Sequence, residues 1–277
     1  MISSWSHSRI TDFEKCKQMA FLKYVKRIPE PVRPLPPGKT EHANDRGTRI
    51  HNEIEAYVRG TTPHYSPEAK SFKVELESLR KLYDAGMVSL EGEWGFNDAW
   101  EPADWRGQWV SIGPHPGAQT VKKLPDYGRD GQVVKVGKAV YLWVPTWLRM
   151  KLDALVFLSD FEAVAIDYKT GKKFGNEIKH GEQLMLYQLA TFLKYPDLEV
   201  VHTELWYLDQ DLLTSVTYER VRGLKLKYKW NIRGQAMTSC TKFPANANKY
   251  SCQYCPYGAP ENGFPNGTGD CSVGKRS

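Results

Sequence analysis

The chain has 277 residues, 41% hydrophobic and 25% charged, enough apolar material for one large or two modest globular domains. A mean hydropathy of −0.54, with apolar runs such as those at residues 141–144 and 154–158 far too short to cross a bilayer, excludes a membrane-spanning helix. The net charge of +6 and pI of about 8.9 admit a polyanionic partner without requiring one. The opening MISSWSHSRI lacks the charged-then-apolar layout of a secretory signal, so a cytoplasmic protein is expected.

Taken in chain order, residues 8–27 read as a helix capped by Ser8, with Ile10, Phe13, Ala20 and Tyr24 at helical spacing and Cys16 on the same apolar face. PEPVRPLPPGK, residues 29–39, must be loop or extended chain. A second helix is expected at 43–60, with Ile50, Ile54, Tyr57 and Val58 as its stripe. A third is expected at 67–85, ended by Gly86. VSLEGEWGF alternates as a strand does. Residues 97–138 are polar, Gly-rich and Trp-studded, and read as an insertion within a single domain spanning 1–277.

RMKLDALVFL and EAVAIDYK are strand-like runs joined by SDFE, which predicts a hairpin. Asp153, Leu155 and Phe157 share one face of the first strand. Ala163, Ala165, Asp167 and Lys169 share one face of the second, because strand side chains alternate with period two. GEQLMLYQLATFLKY is an amphipathic helix that puts Gln183 and Tyr187 one turn apart on one side. A further hairpin (TELWYLD, SVTYERV) and a basic helix at about 222–236 follow. Helices, then strands, then helix and strands predict a mixed α/β class, a mixed sheet flanked by helices, with a helical N-terminal part and a Cys-containing segment at 240–277.

The chemistry concentrates on the central hairpin. If its acidic faces coincide, Asp153 and Asp167 form a hard, oxygen-lined site suited to Mg²⁺ or Mn²⁺. Lys169, one repeat further on, would then stabilise charge on a phosphate or act on an attacking water. Divalent metal polarises the phosphoryl oxygen, so these are the components of phosphodiester hydrolysis. Taken alone, an Asp and a Lys at a strand end are equally the solvated terminus of an ordinary strand.

In company the pattern resembles the PD-(D/E)XK nuclease superfamily, in particular its RecB-like and CRISPR-associated exonuclease branch. The matching pieces are GTRIH (47–51), KLDAL (151–155), IDYKTGK (166–172) and QLMLY (183–187), in that order, with SHSRITDFEKCKQMAFLKYV resembling the N-terminal helix of the branch. The resemblance implies a restriction-endonuclease-like core, His51, Asp153, Asp167 and the Tyr168 carbonyl as metal ligands, and Lys169 as the catalytic lysine. Gln183 and Tyr187 would position the phosphate backbone or orient Lys169, and Glu93 would add an acid near the metal. Read without the family, His51 is a helix-flank histidine, Gln183 a surface polar residue, Tyr187 a core aromatic and Glu93 a solvated strand residue.

Of the five cysteines, four crowd the C-terminus. Some members of the branch bind an iron–sulfur cluster through one N-terminal and three C-terminal cysteines. Cys16, Cys252, Cys255 and Cys271 fit that layout for a 4Fe-4S cluster, with thiolates stapling the tail to the first helix. The gap from Cys255 to Cys271 is long for the pattern. Cys240 offers a rival zinc site with Cys252, Cys255 and Cys271, and a tail without metal is a further alternative.

The expected activity is therefore Mg²⁺- or Mn²⁺-dependent DNA exonuclease in recombination, repair or replication, on ends or single strands, in a protein that is phage-encoded. The chain has no GxxxxGK[ST], so unwinding would come from a helicase or recombination partner. A non-cleaving nuclease-like binding module and a structure-specific endonuclease or ribonuclease are the alternatives.

Overall fold

In a computed structural model, residues 1–113, 124–171, 173–260 and 267–273 are described. The helices are α1 (His7–Lys15), α2 (Lys17–Ala20), α3 (Ala43–Val58), α4 (Lys73–Asp84), α5 (Glu177–Lys194), α6 (Arg220–Thr238) and α7 (Lys249–Cys252). The strands are β1 (Val88–Phe96), β2 (Pro102–Ala103), β3 (Gly107–Ser111), β4 (Val133–Val136), β5 (Ala139–Pro145), β6 (Leu148–Ser159), β7 (Glu162–Lys169), β8 (Val200–Tyr207) and β9 (Leu212–Glu219). The chain divides into two compact units, Met1–His42 with Trp230–Ser277, and Ala43–Lys229.

Within Ala43–Lys229, a sheet of order β2-β1-β6-β7-β8-β9 runs through the middle. It is mixed. β7 and β8 are parallel, and α5 makes the crossover that a parallel pair needs, while the other pairs are antiparallel. The two expected hairpins, β6–β7 and β8–β9, form as the alternation predicts.

One face of the sheet is buried by α3 and α4. Ile50, Ile54 and Leu76 pack in one apolar cluster with Ala154, Val156, Ile166 and Trp206. Each such branched side chain contributes roughly 1.5–3 kcal/mol when fully buried. The expected third helix is in two parts, a 3₁₀ turn over Pro67–Phe72 running into α4. α5 packs against β7 and β8. β3, β5 and β4 make a separate three-stranded sheet. Residues 97–138 thus contribute β2, β3 and β4, and residues 114–123 of that segment lie outside the described residues.

Within the other unit, Trp5 and Trp230 are fully buried and stacked with centroids 6.0 Å apart. Arg233 forks onto Glu14 through two hydrogen bonds of 2.7 Å. The helix expected at 8–27 is broken. Its cap is Ser6, whose hydroxyl accepts the Arg9 N–H, rather than Ser8. At Cys16 the backbone turns extended (φ −160°, ψ 113°), α2 follows, and a π-helical turn over Phe21–Lys26 ends at left-handed Arg27. The Cys16 side chain packs against the cluster of Met19, Leu22 and Tyr257. Among the described residues, no helix is long and apolar enough to cross a membrane.

α6 approaches α5 at Gly223. A Cβ there would press on the Gln188 side-chain oxygen and lie 2.6 Å from Phe192 Cε2. In an open helix, Gly→Ala stabilises by about 1 kcal/mol. Here overpacking reverses the sign, and Gly223→Ala is expected to destabilise by roughly 1–3 kcal/mol, read as a lower midpoint in urea.

Candidate active site

The register of β6 assembles the acids. Ala154 pairs with Ile166 and Leu155 with Ala165, so the next step puts Asp153 across from Asp167. On its other side, β6 pairs Ala154 with Leu90 and Leu152 with Gly92, which puts Glu91 across from Asp153. Glu91 is held at φ +47°, out of the strand conformation. A left-handed non-glycine residue costs of the order of 1–3 kcal/mol and persists where its surroundings impose it, which marks a place to look for function.

Both oxygens of Asp153 are engaged. Oδ1 lies 3.1 Å from His51 Nδ1, and Oδ2 accepts the Tyr168 N–H at 2.7 Å. His51, Glu91 and Asp153 each bring a ligand atom within 4.8 Å of the others. Burial works against protonation of His51, but the Asp153 hydrogen bond and charge outweigh it and raise its pKa. Burial raises the Glu91 pKa, and the charges of Asp153 and Glu55 add to the rise.

Asp167 is 4% exposed and sits in a closed ring of partners. Tyr187 donates its hydroxyl to Oδ1 at 2.9 Å, and Gln183 Nε2 donates to the same oxygen at 3.2 Å. Gln183 also donates to the Tyr187 hydroxyl at 2.5 Å and accepts from Lys169 Nζ at 2.9 Å through its amide oxygen. The Lys169 ammonium closes the ring as an ion pair with Asp167 Oδ2. Burial raises the Asp167 pKa, Lys169 pulls it down, and Asp153 pushes it up again, for a net rise. The Tyr187 pKa lies well above the usual phenol range because of burial and the Asp167 charge.

The two groups adjoin through Asp153, Asp167 and the residue between Asp167 and Lys169. The Tyr168 ring packs edge-on to His51 at 5.6 Å, and burial with the charges of Asp153 and Glu91 raises its pKa strongly. Beside the ring, His180 Nδ1 lies 2.8 Å from the Tyr207 hydroxyl. Its pKa is lowered to about 4 by burial and the Lys169 charge, which keeps it neutral near pH 7.

GTRIH has a structural explanation. Gly47 and His51 are one turn apart on α3, and a Cβ at Gly47 would lie 3.3 Å from Thr170 Oγ1. Arg46 donates to the Thr170 carbonyl at 3.1 Å and clamps Asp209 with bonds of 2.9 and 2.6 Å. The turn after Lys169 is thus docked on the first turns of α3, and His51 follows one turn later.

Glu93 is where the expectation differs from the structure. It is exposed and paired with Lys151 at 2.8 Å, and it is Glu91 that joins His51 and Asp153. Both acids have the same parity in β1, so alternation does not choose between them. The register does, setting Glu91 across from Asp153 and Glu93 across from Lys151.

Cys16, Cys252, Cys255 and Cys271 line one small cavity together with Met19, Asn246 and Ser251. Cys240 is not among them, and its thiol is directed to the Lys242 carbonyl at 3.0 Å. Burial raises the Cys255 pKa, and neighbouring Cys271 and Cys16 contribute.

The crystal structure of SSO0001 aligns with 91% of this chain and 82% of its own, at 12% identity and a TM-score of 0.36. No curated protein sequence matches the chain. A family model described as the PD-(D/E)XK nuclease superfamily matches residues 4–259. That match supports a metal-dependent nuclease with DNA as substrate, and it takes in every residue of the two groups described above. The mixed sheet with its flanking helices is the restriction-endonuclease-like core, and the chain belongs to the PD-(D/E)XK nuclease superfamily.

Proposed function

We propose that the protein is a DNA exonuclease that hydrolyses phosphodiester bonds with Mg²⁺ or Mn²⁺ and serves recombination, repair or replication. The observation that carries the reading is the junction of two groups, the His51, Glu91 and Asp153 donors and the ring of Asp167, Lys169, Gln183 and Tyr187.

The donors fit a divalent cation. Three carboxylates from neighbouring interior strands and one imidazole from α3 are suitable ligands, and each carboxylate gains from a cation where water is scarce. His51, Glu91, Asp153 and Asp167 would hold the ion, with the Tyr168 carbonyl as a further ligand. The ion supplies polarisation of the phosphoryl oxygen and acidification of a water. Lys169, fixed by the Gln183 amide oxygen, presents its ammonium to the charge that develops on the phosphate. Tyr187 and Gln183 donate to Asp167 Oδ1 and hold it ready, leaving Oδ2 toward Lys169. Hydrolysis joins a water oxygen to phosphorus, breaks one ester P–O bond and hands the proton to the departing alkoxide.

Linear and closed-circular DNA, incubated with Mg²⁺, Mn²⁺ or EDTA, test the reading. Loss of linear DNA alone, abolished by EDTA, is expected. Asp167→Ala and Lys169→Ala are each expected to lower the rate by at least about 10²-fold. Cleaved circles would make the protein an endonuclease, and equal inertness of wild type and variants would leave a non-cleaving DNA-binding module.

The cysteine cavity supports a 4Fe-4S cluster held by Cys16, Cys252, Cys255 and Cys271 rather than a zinc site that includes Cys240. Soft thiolates suit iron, and the cluster would fasten the tail to the turn between α1 and α2. Anaerobically purified protein is expected to carry iron, acid-labile sulfide and visible charge-transfer absorbance. Cys16→Ser should lose all three and Cys240→Ser none; zinc in place of iron would refute the assignment.

A further inference from the structure

Between the insertion and the metal-ligand candidates runs a short cationic and aromatic track. Along β6, Leu148, Met150 and Leu152 are buried, whereas Arg149, Lys151 and Asp153 face the other way and are partly or fully open. The pairing with β1 runs Phe96↔Leu148, Gly95↔Arg149, Trp94↔Met150, Glu93↔Lys151, Gly92↔Leu152 without a slip. Arg149 and Lys151 thus share one face of β6 on the stretch that leads to Asp153, the residue at the centre of the ligand cluster. They lie about 13 Å and about 7 Å from it along the strand, by the rise of roughly 3.3 Å per residue.

Over these two cations lies Trp105, from the connection between β2 and β3. Its ring centroid is 5.7 Å from Arg149 Cζ and 6.0 Å from Lys151 Nζ, and the side chain is half-buried. Glu93, bonded to Lys151 at 2.8 Å, fixes the ammonium in place, and the Lys151 side chain remains 57% exposed. A tryptophan seated on two cations, beside an open strand face that ends at a carboxylate, offers a face to a base and charge to the backbone of the same strand.

We infer that Trp105, Arg149 and Lys151 form a single-strand subsite, in which Trp105 stacks on an unpaired base while Lys151 and Arg149 hold the phosphates leading to Asp153. The inference rests on the nuclease reading and adds to it the substrate class, a strand with unpaired bases at the site. A duplex keeps its base faces stacked and has none to give Trp105. It also gives residues 97–138 a role, since Trp105 of that segment lies over Arg149 and Lys151 of β6.

The test is binding in EDTA, so cleavage plays no part. A fluorescein-labelled thymidine dodecamer is titrated with protein, and a single abasic position is then moved along it. Wild type is expected to lose about tenfold in affinity when the abasic position falls at one place or two adjacent places, and little elsewhere. Trp105→Ala should weaken the intact strand by about tenfold and flatten the profile, whereas Trp105→Phe should keep most of the affinity and the same profile. Lys151→Gln should reduce the salt slope of binding by about one, which the loss of a merely structural ion pair would not do.

A flat abasic profile in wild type overturns the inference, and so does Trp105→Ala protein that binds the intact strand as tightly as wild type. Preference for duplex over single strand also overturns it. The wild-type profile stands even where Trp105→Ala does not fold. Position-dependent binding by a protein that never cleaves would sink the nuclease reading and keep the subsite, and cleavage with a flat profile would do the reverse.

Discussion

Everything in the candidate site depends on the register of β6 between its two neighbours. Asp153 lies between Glu91 on β1 and Asp167 on β7, and the ladders on either side hold it there. Because strand side chains alternate, a slip of one residue on either side would turn an acid to the opposite face. The apolar half of the same strand guards against that slip. Ala154 and Val156 face the cluster with α3 and α4, so the burial that holds the fold together also sets the acids side by side. The rest is attached to this alignment. α3 brings His51 to Asp153, and α5 brings Gln183 and Tyr187 to Asp167.

The alignment has an electrostatic cost. Three carboxylates converge at a site where Asp167 is almost without solvent, and burial with mutual repulsion raises the pKa of both Glu91 and Asp167. The chain's own relief is partial. Lys169 compensates Asp167, and the Asp153 carboxylate leans on His51 and the Tyr168 N–H. A divalent cation would complete that compensation, so its binding and the local stability of these strands are linked. Glu91 shows the same tension in its backbone, as a left-handed residue in the middle of a strand.

Much of this was legible in the sequence. Period-two alternation placed Asp153, Asp167 and Lys169 on the faces of one hairpin and i, i+4 spacing put Gln183 and Tyr187 on one side of a helix, while their roles came from the resemblance of the motifs taken together. The mixed α/β class followed from the order of the elements. Other features depend on what periodicity does not carry. Glu91 and Glu93 have one parity, and what separates them is the register, which sets Glu91 across from Asp153 and Glu93 across from Lys151. A continuous apolar spacing over residues 8–27 hides the extended residue at Cys16, because spacing records which side chains are apolar and not where the chain turns. The division into two units and the small sheet of β3, β5 and β4 arise from pairings distant in sequence, which local patterns do not report.

The metal centre depends most directly on the identity of the acid opposite Asp153, and Mn²⁺ binding followed by electron paramagnetic resonance tests it without reference to substrate. Glu91→Gln is expected to weaken Mn²⁺ binding by at least about tenfold, a loss of the size seen when a metal site is disturbed. Glu93→Gln, which removes only the partner of Lys151, should bind Mn²⁺ as wild type does. Equal affinity in Glu91→Gln and wild type, or a loss in Glu93→Gln alone, would contradict the metal centre described here.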